Sequence, residues 1–202
     1  MTLIVLDMMK FNVLIVLIAL LSFSGVIAQN KNEKEFRISM DQYPKNTQIV
    51  LLNIPKNAKR IRHYQETDEK KLSYESKFKF KKYWFSVEFN SDGVLEDIEK
   101  TIKEKELEKT VKEALYLFLE TQASKYSIIK IQEQYLYSSK ILEVDFLNAI
   151  LRSSCSINSN YEIIIAIKSD KEWQLKEMTF DSNGRFLNAR HLQPDSYEYI
   201  MY

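Results

Sequence analysis

The chain has 202 residues, 45% of them apolar and 12% aromatic, which is enough for a packed core and excludes a disordered tail. Lys plus Arg total 29 against 28 Asp plus Glu, a formal net charge of +1 that lacks the cationic excess of a nucleic-acid-tracking surface. Cys155 is the single cysteine, so no intramolecular disulfide forms and stability must come from packing.

Lys10 precedes an apolar run from Phe11 to Leu21, and Val26-Ile27-Ala28 offers small residues at a cleavage point. Residues 1–28 therefore read as a secretory signal peptide, with Met9 a more natural start than Met1. No cysteine stands at the cleavage point, which argues against a lipid anchor. The expected localisation is periplasmic or secreted, with no stable membrane span once the leader is removed.

Residues 29–40 are polar and read as a flexible lead-in. Pro44 suits the opening of a helix, and the run from Ile49 to Ile54 fits either helix or strand before Pro55 ends it. Ala58 to Glu66 reads as a strand. Leu72, Tyr74, Ser76, Phe78 and Phe80 then alternate with Ser73, Glu75, Lys77, Lys79 and Lys81, and Tyr83, Phe85, Val87 and Phe89 continue the period of two. Thr101 and Glu104 fit a capping box, followed by an apolar stripe at Leu107, Val111, Ala114, Leu115, Phe118 and Leu119. Tyr126 to Tyr137 reads as a strand, residues 140–158 as an inserted helical turn or loop, and Tyr161 to Ile167 as a central strand. Trp173 to Phe180 and Phe186 to Leu192 complete the set.

Two turns punctuate this order. Phe89-Asn90-Ser91-Asp92-Gly93 and Phe180-Asp181-Ser182-Asn183-Gly184 share one pattern, and beyond Gly25 they hold the only glycines. Glycine accepts the positive φ that a tight turn requires, while Asx and Ser bond to the turn backbone. With Tyr74-Glu75 and Tyr161-Glu162 preceding these turns at similar distances, the spacing predicts a duplicated unit. The expected fold class is α+β: two tandem helix-plus-antiparallel-β units forming one sheet, with helices packed on one face. The units would span 41–103 and 104–193, with a tail at 194–202.

The Tyr-Glu strand followed by Phe-(Asn/Asp)-Ser-(Asp/Asn)-Gly and an apolar pair resembles exported bacterial PepSY-like domains of the β-lactamase-inhibitor-protein-like fold. Ser73-Tyr74-Glu75-Ser76-Lys77-Phe78 and Ser86-Val87-Glu88-Phe89 carry most of the likeness, together with Asp92-Gly93-Val94-Leu95-Glu96-Asp97. The resemblance implies helices on one sheet face, a free opposite face, no catalytic residues, and a role in binding or inhibiting another exported protein. Gln174 and Lys176 depart from the pattern where apolar residues belong.

Several candidate sites compete. Glu88, Asn90, Asp92, Gly93, Glu96 and Glu99 approach the spacing of a calcium loop, but the position-one Glu, the preceding strand, and Arg190 in the place of Glu99 in the second copy argue for a plain turn. His63 and His191 lack metal-ligand spacing, so no metal or cofactor is expected. A hydrolase assembled from either histidine with a serine or carboxylate is the rival from another class, and a small-ligand or metal-ion module is a third. Glu96, Asp97 and Glu99 offer carboxylates, but on an exposed turn such groups are usually solvated. The expected protein-binding surface is Trp84 with Lys77, Lys79 and Glu88 on the polar phase, and Trp173 in the second unit, because aromatic anchors ringed by polar residues mark interfaces. The C-terminal Tyr197, Tyr199 and Tyr202 either extend it or form an edge strand.

Overall fold

The computed structural model describes residues 29–31, 33–68, 71–152, 159–169 and 172–192. The expected signal peptide, Cys155 and the C-terminal tyrosines lie outside the described residues. The strands are β1 (Gln29–Lys31), β2 (Glu33–Ile38), β3 (Lys59–Asp68), β4 (Lys71–Phe80) and β5 (Tyr83–Asn90), followed by β6 (Leu95–Ile102), β7 (Tyr126–Leu136), β8 (Asn160–Ser169), β9 (Glu172–Phe180) and β10 (Phe186–Leu192). Among the described residues three α-helices accompany them: α1 (Lys45–Leu51), α2 (Lys109–Gln122) and α3 (Glu143–Arg152).

All ten strands join one sheet in the order β1-β10-β9-β8-β7-β6-β5-β4-β3-β2. The nine strands from β2 to β10 are antiparallel to their neighbours, and β1 adds to β10 in parallel. The lead-in is therefore strand. Its period-two character is hidden by charge, since Glu33–Ile38 holds only two apolar residues.

This short N-terminal stretch also curls the sheet. Lys31 pairs with Leu192 at one edge and Glu33 with Asp68 near the other, although one residue separates Lys31 from Glu33. Two residues of chain reach at most about 7.6 Å. In a flat sheet β3 and β10, seven strands apart, would lie about 34 Å from each other. The sheet must roll until its edges meet.

Apolar side chains fill the outer, helix-covered face in two clusters. The first unites Phe78, Phe85, Val87, Phe89, Leu95 and Ile98 of β4–β6 with Val50 and Leu51 of α1, and with Phe146, Leu147, Ile150 and Leu151 of α3. The second sets Val111, Leu115 and Leu119 of α2 on Ile163, Ile165, Ile167, Met178 and Phe180. Phe118 stacks on Phe186 at 4.4 Å and meets Phe180 edge-on at 5.6 Å. Lys100 and Glu133 form an ion pair of 2.7 Å at the seam, with Tyr83 under the ammonium at 4.5 Å.

These contacts overturn the expectation of two tandem helix-plus-strand units. The single sheet is as expected, with β6 and β7 hydrogen-bonded neighbours, but it does not divide into two helix-plus-strand units. Among the described residues there are three short α-helices, and α3, from the second stretch of sequence, donates its apolar stripe to the core of the first. Burial, which is blind to sequence order, decides this. The expected capping box moves as well: Thr101 stays in β6, and the backbone N–H of Lys103 bonds Glu106 instead at 3.0 Å.

The two turns are alike in detail. Asn90 Oδ1 accepts from the N–H groups of Asp92 and Val94, and Asp181 Oδ1 from those of Asn183 and Arg185, all at 2.9–3.0 Å. Gly93 and Gly184 have φ of +77° and +80°. A Cβ on Gly184 would lie 2.7 Å from Ala114 Cβ and 3.0 Å from Val111 Cα of α2, so the hairpin seats the helix. Gly184→Ala is expected to cost about 1–3 kcal/mol from strain plus overpacking, read as a lower urea midpoint; an unchanged midpoint would show that α2 is not seated on this turn.

Candidate functional site

Strand alternation sends every second side chain to the inner face, and on this chain that phase is charged. One row runs Glu75, Glu88, Asp97 and Leu136 across β4, β5, β6 and β7; the next places Ser86 opposite Glu99 and Glu99 opposite Gln134. Further along, Gln132 faces Glu162 and Ile164 faces Glu177. Rolling the sheet gathers these into a cavity of about 370 Å³, touched by Glu35 of β2 at one side and by Arg190 and Leu192 of β10 at the other. Ten acidic side chains line it against four basic ones.

Two parts of the lining are internally compensated. Lys77 Nζ reaches Glu35 Oε1 at 2.7 Å and Glu75 Oε2 at 2.9 Å, with Glu66 beside them. Burial opposes ionisation of Glu75, but Lys77 and the hydrogen bonds of Ser86 and Glu66 prevail and hold it down at about 2. Arg190 pairs with Glu177 through Nε at 2.9 Å and through a second guanidinium nitrogen.

The centre is different. Among the described residues, no lysine or arginine closes an ion pair with Glu88, Asp97 or Glu99. Gln134 Nε2 donates to Asp97 Oδ2 and to Glu162 Oε1, each at 3.0 Å, and Gln132 Nε2 donates to Glu99 Oε2. Asp97 Oδ1 is buried without a hydrogen-bond partner. Burial first, and then the neighbouring carboxylates Glu162, Glu96 and Glu75, push Asp97 up to about 8 despite its bond from Gln134. Burial and like charge raise Glu88 and Glu99 as well, with Lys130 easing Glu99. Like charges directly opposite in a ladder destabilise a sheet, so the arrangement is held by the rest of the fold.

The expected binding residues are split by this geometry. Register places Lys77, Lys79, Trp84 and Glu88 on one face, but only Lys77 and Glu88 line the cavity. Trp84 lies beyond it with Arg60 6.0 Å from its ring, and Lys79 sits opposite Trp84. Trp173 is 56% exposed and stands four strands away from Trp84, six positions along β8 from the row they would share. The two tryptophans do not form one anchor. Nor are Asp97 and Glu99 solvated turn charges: both lie on β6 and are 7% exposed. The calcium-loop spacing belongs to a hairpin, where Asn90 caps its own turn. The only acidic triad close enough for one ion, among the described residues, is Glu35, Glu66 and Glu75, and Lys77 already supplies its cation.

The histidine rival also acquires a location. His63 Nδ1 lies 2.7 Å from Ser76 Oγ, but Ser76 is fully buried and shares its hydroxyl with Tyr43 at 3.0 Å, while the Tyr43 ring packs edge-on against His63. A substrate has no approach to that oxygen. Burial, and then Arg37, lower the His63 pKa, as suits a neutral packing residue.

No protein-family model matches the chain, PepSY-like or other, and no curated protein matches it. Among solved structures it is similar to a DUF2874 family protein from Bacteroides ovatus ATCC 8483, 16% identical over 75% of this chain and 89% of that one, with a TM-score of 0.49. It is also similar to a BLIP-like protein from Bacteroides fragilis NCTC 9343, 13% identical over 74% and 86% of the two chains, with a TM-score of 0.45. At that level the likenesses carry no functional argument. No helix among the described residues is long and apolar enough to cross a membrane.

The central acids set a pH dependence. Asp97 starts from 3.8 and is raised to about 8 on folding, so between those values the native state holds the extra proton and stability falls as pH rises. Glu88 and Glu99 act in the same sense, and Glu75, lowered from 4.5 to about 2, opposes them only at the acid end of this window, around and just above its unfolded value. The melting temperature is expected to be higher at pH 6.5 than at pH 8.5, with Asp97→Asn narrowing the gap; a profile that rises with pH would contradict the assignment.

Proposed function

We propose that this chain is an exported, non-enzymatic binding protein that uses the helix-free face of its sheet to hold another extracytoplasmic protein through basic side chains. The observation that supports this reading is the uncompensated centre of the acidic cavity. A protein gains little stability from burying opposed carboxylates, so their presence points to a positive group that completes them. Among the described residues, the cavity lining offers acids, amides and basic side chains but no histidine, and the close His63–Ser76 pair lies outside it and is sealed. That favours recognition over turnover.

The cavity volume, about 370 Å³, falls in the range of small-molecule sites and supports a second reading, a module for a small organic cation. A metal-ion module is less well supported, because the tightest acidic triad already contains an ammonium.

The test is crosslinked capture from the native cell envelope, run in parallel with the unaltered protein and a Glu88→Gln, Asp97→Asn double variant. One enriched exported protein is expected with the former, lost with the latter and weakened by salt, since exposed charge attraction is screened within about 8 Å at physiological ionic strength. Capture unchanged by the double variant would place binding elsewhere on the molecule. Panels of ester, peptide and glycoside substrates are expected to show no turnover.

A further inference from the structure

We propose that the free edge of β2 is a docking site for an extended strand, and that its occupant is the chain's own segment 193–199, laid parallel to β2 as a continuation of β10. The proposal concerns how the sheet is closed and is independent of what its helix-free face binds.

The edge itself is the first observation. β2 is hydrogen-bonded to β3 along one side, and among the described residues no strand pairs with its other side. β10 reaches only the stretch before it, where Arg190, His191 and Leu192 pair with Gln29, Asn30 and Lys31. The rolled sheet is therefore closed at β1 and open along Glu33–Ile38. An open edge presents unpaired N–H and C=O groups and is a template for another strand. Phe36 lies on this one with 56% of its surface exposed.

Chain direction selects the occupant. β1 and β10 run parallel, so the residues that follow Leu192 proceed along β2 with no loop between. Leu192, opposite Lys31, and Glu35, four residues beyond Lys31, both line the cavity, so β1 and β2 share one in-out phase and the register of the first carries into the second. A segment tethered beside its site has an effective concentration on the order of millimolar or more, which a free peptide or a second copy must exceed to displace it.

The side chains agree with that register. Residues 193–199 lie outside the described residues, and their sequence is matched to the edge. Carrying the pairing of Leu192 with Lys31 onward sets Asp195 opposite Lys34, Tyr197 opposite Phe36, Glu198 opposite Arg37 and Tyr199 opposite Ile38. Each acid meets a base, and each tyrosine meets an apolar residue of the outer phase, where Ile38 already packs against the first cluster. A slip of one residue further along would set Asp195 against Glu35 and turn both tyrosines to the inner face. Pro194 stands at the head of the segment, where a strand accepts a residue without an N–H.

The experiment is disulfide trapping in the full chain carrying Cys155→Ser, with oxidised glutathione as the oxidant. The in-register pair Phe36→Cys with Tyr197→Cys is compared with the out-of-phase pair Phe36→Cys with Ser196→Cys. The first is expected to close an intramolecular bridge, read as a faster-migrating monomer on a non-reducing gel, at least about tenfold faster than the second, because only facing residues bring their Cβ atoms within bridging distance. Hydrogen exchange reads the same contact without cysteines. Slow exchange is expected at residues 195–199 and along β2, and Tyr197→Pro, which removes an N–H and fixes φ, is expected to speed exchange along β2. The amides of β8, whose Ile163 and Ile165 are fully buried, are expected to stay protected in that variant and so report an intact fold. Equal bridging by the two pairs, fast exchange at 195–199 in the unaltered chain, or β2 exchange unchanged by Tyr197→Pro would each overturn the proposal. A covalent dimer as the main product of the in-register pair would overturn it in favour of a second copy. Exchange along β2 that slows only when cell-envelope extract is added would overturn it in favour of a partner's strand.

Discussion

The structure depends on one electrostatic constraint: Glu75, Glu88 and Asp97 stand opposite one another on three consecutive strands, inside the curl of a single sheet. Opposed like charges cost a ladder stability, and burial raises that cost by removing water. At one end of the row Lys77 turns the cost into a hydrogen-bonded ion cluster. At the other end only a glutamine amide answers Asp97, and one carboxylate oxygen is left over. Protonation relieves the centre. Glu88 and Asp97 thereby link stability to pH.

That strain is tolerable because the opposite face of the sheet is packed well. Phe78, Phe89, Phe180, Leu115, Leu119 and Leu147 have essentially no exposed surface, and burying each such side chain contributes about 1.5–3 kcal/mol. The clusters under α1 and α3 and under α2 meet at Tyr83, where Lys100 and Glu133 are paired and Tyr135 donates a 2.8 Å bond to the same carboxylate. This seam is closed: each charge in it has its partner. The contrast with the cavity is chemical rather than a matter of depth. Among the described residues, buried charge occurs on both faces, and only on the inner one is it incomplete.

Much of the site was written in the sequence without being readable there. Ser73, Glu75 and Lys77, then Ser86 and Glu88, lie on the polar phase of a period-two pattern that correctly assigns them to one face, whereas Asp97 and Glu99, flanked by the charged Glu96 and Lys100, carry no such signal. The polar phase of a strand normally meets water, so the same period argued for solvated charges. What turned that face inward was the lead-in, whose Gln29–Lys31 and Glu33–Ile38 reach opposite edges of the sheet. Its composition carries no apolar signal of a strand, because its pairing is made by the backbone. The tryptophans misled in the opposite sense. Trp84 and Trp173 share the face by parity, yet parity says nothing of distance across strands, and the rows that separate them were set by pairing register.

By itself, the sequence determined much of the local geometry: the strands after the lead-in and their in-out phase through hydrophobic alternation, the two turns through glycines placed where a positive φ is required, and α2 through its apolar stripe. Each of these follows from interactions within a few residues. Tertiary structure alone decided that the lead-in joins both edges of the sheet, that α3 serves the core of strands far before it, and that the charged face closes on itself. Those outcomes rest on burial of apolar area and on edge-to-edge backbone pairing, which join segments irrespective of their order in the chain. The acidic cavity exists only after both have acted.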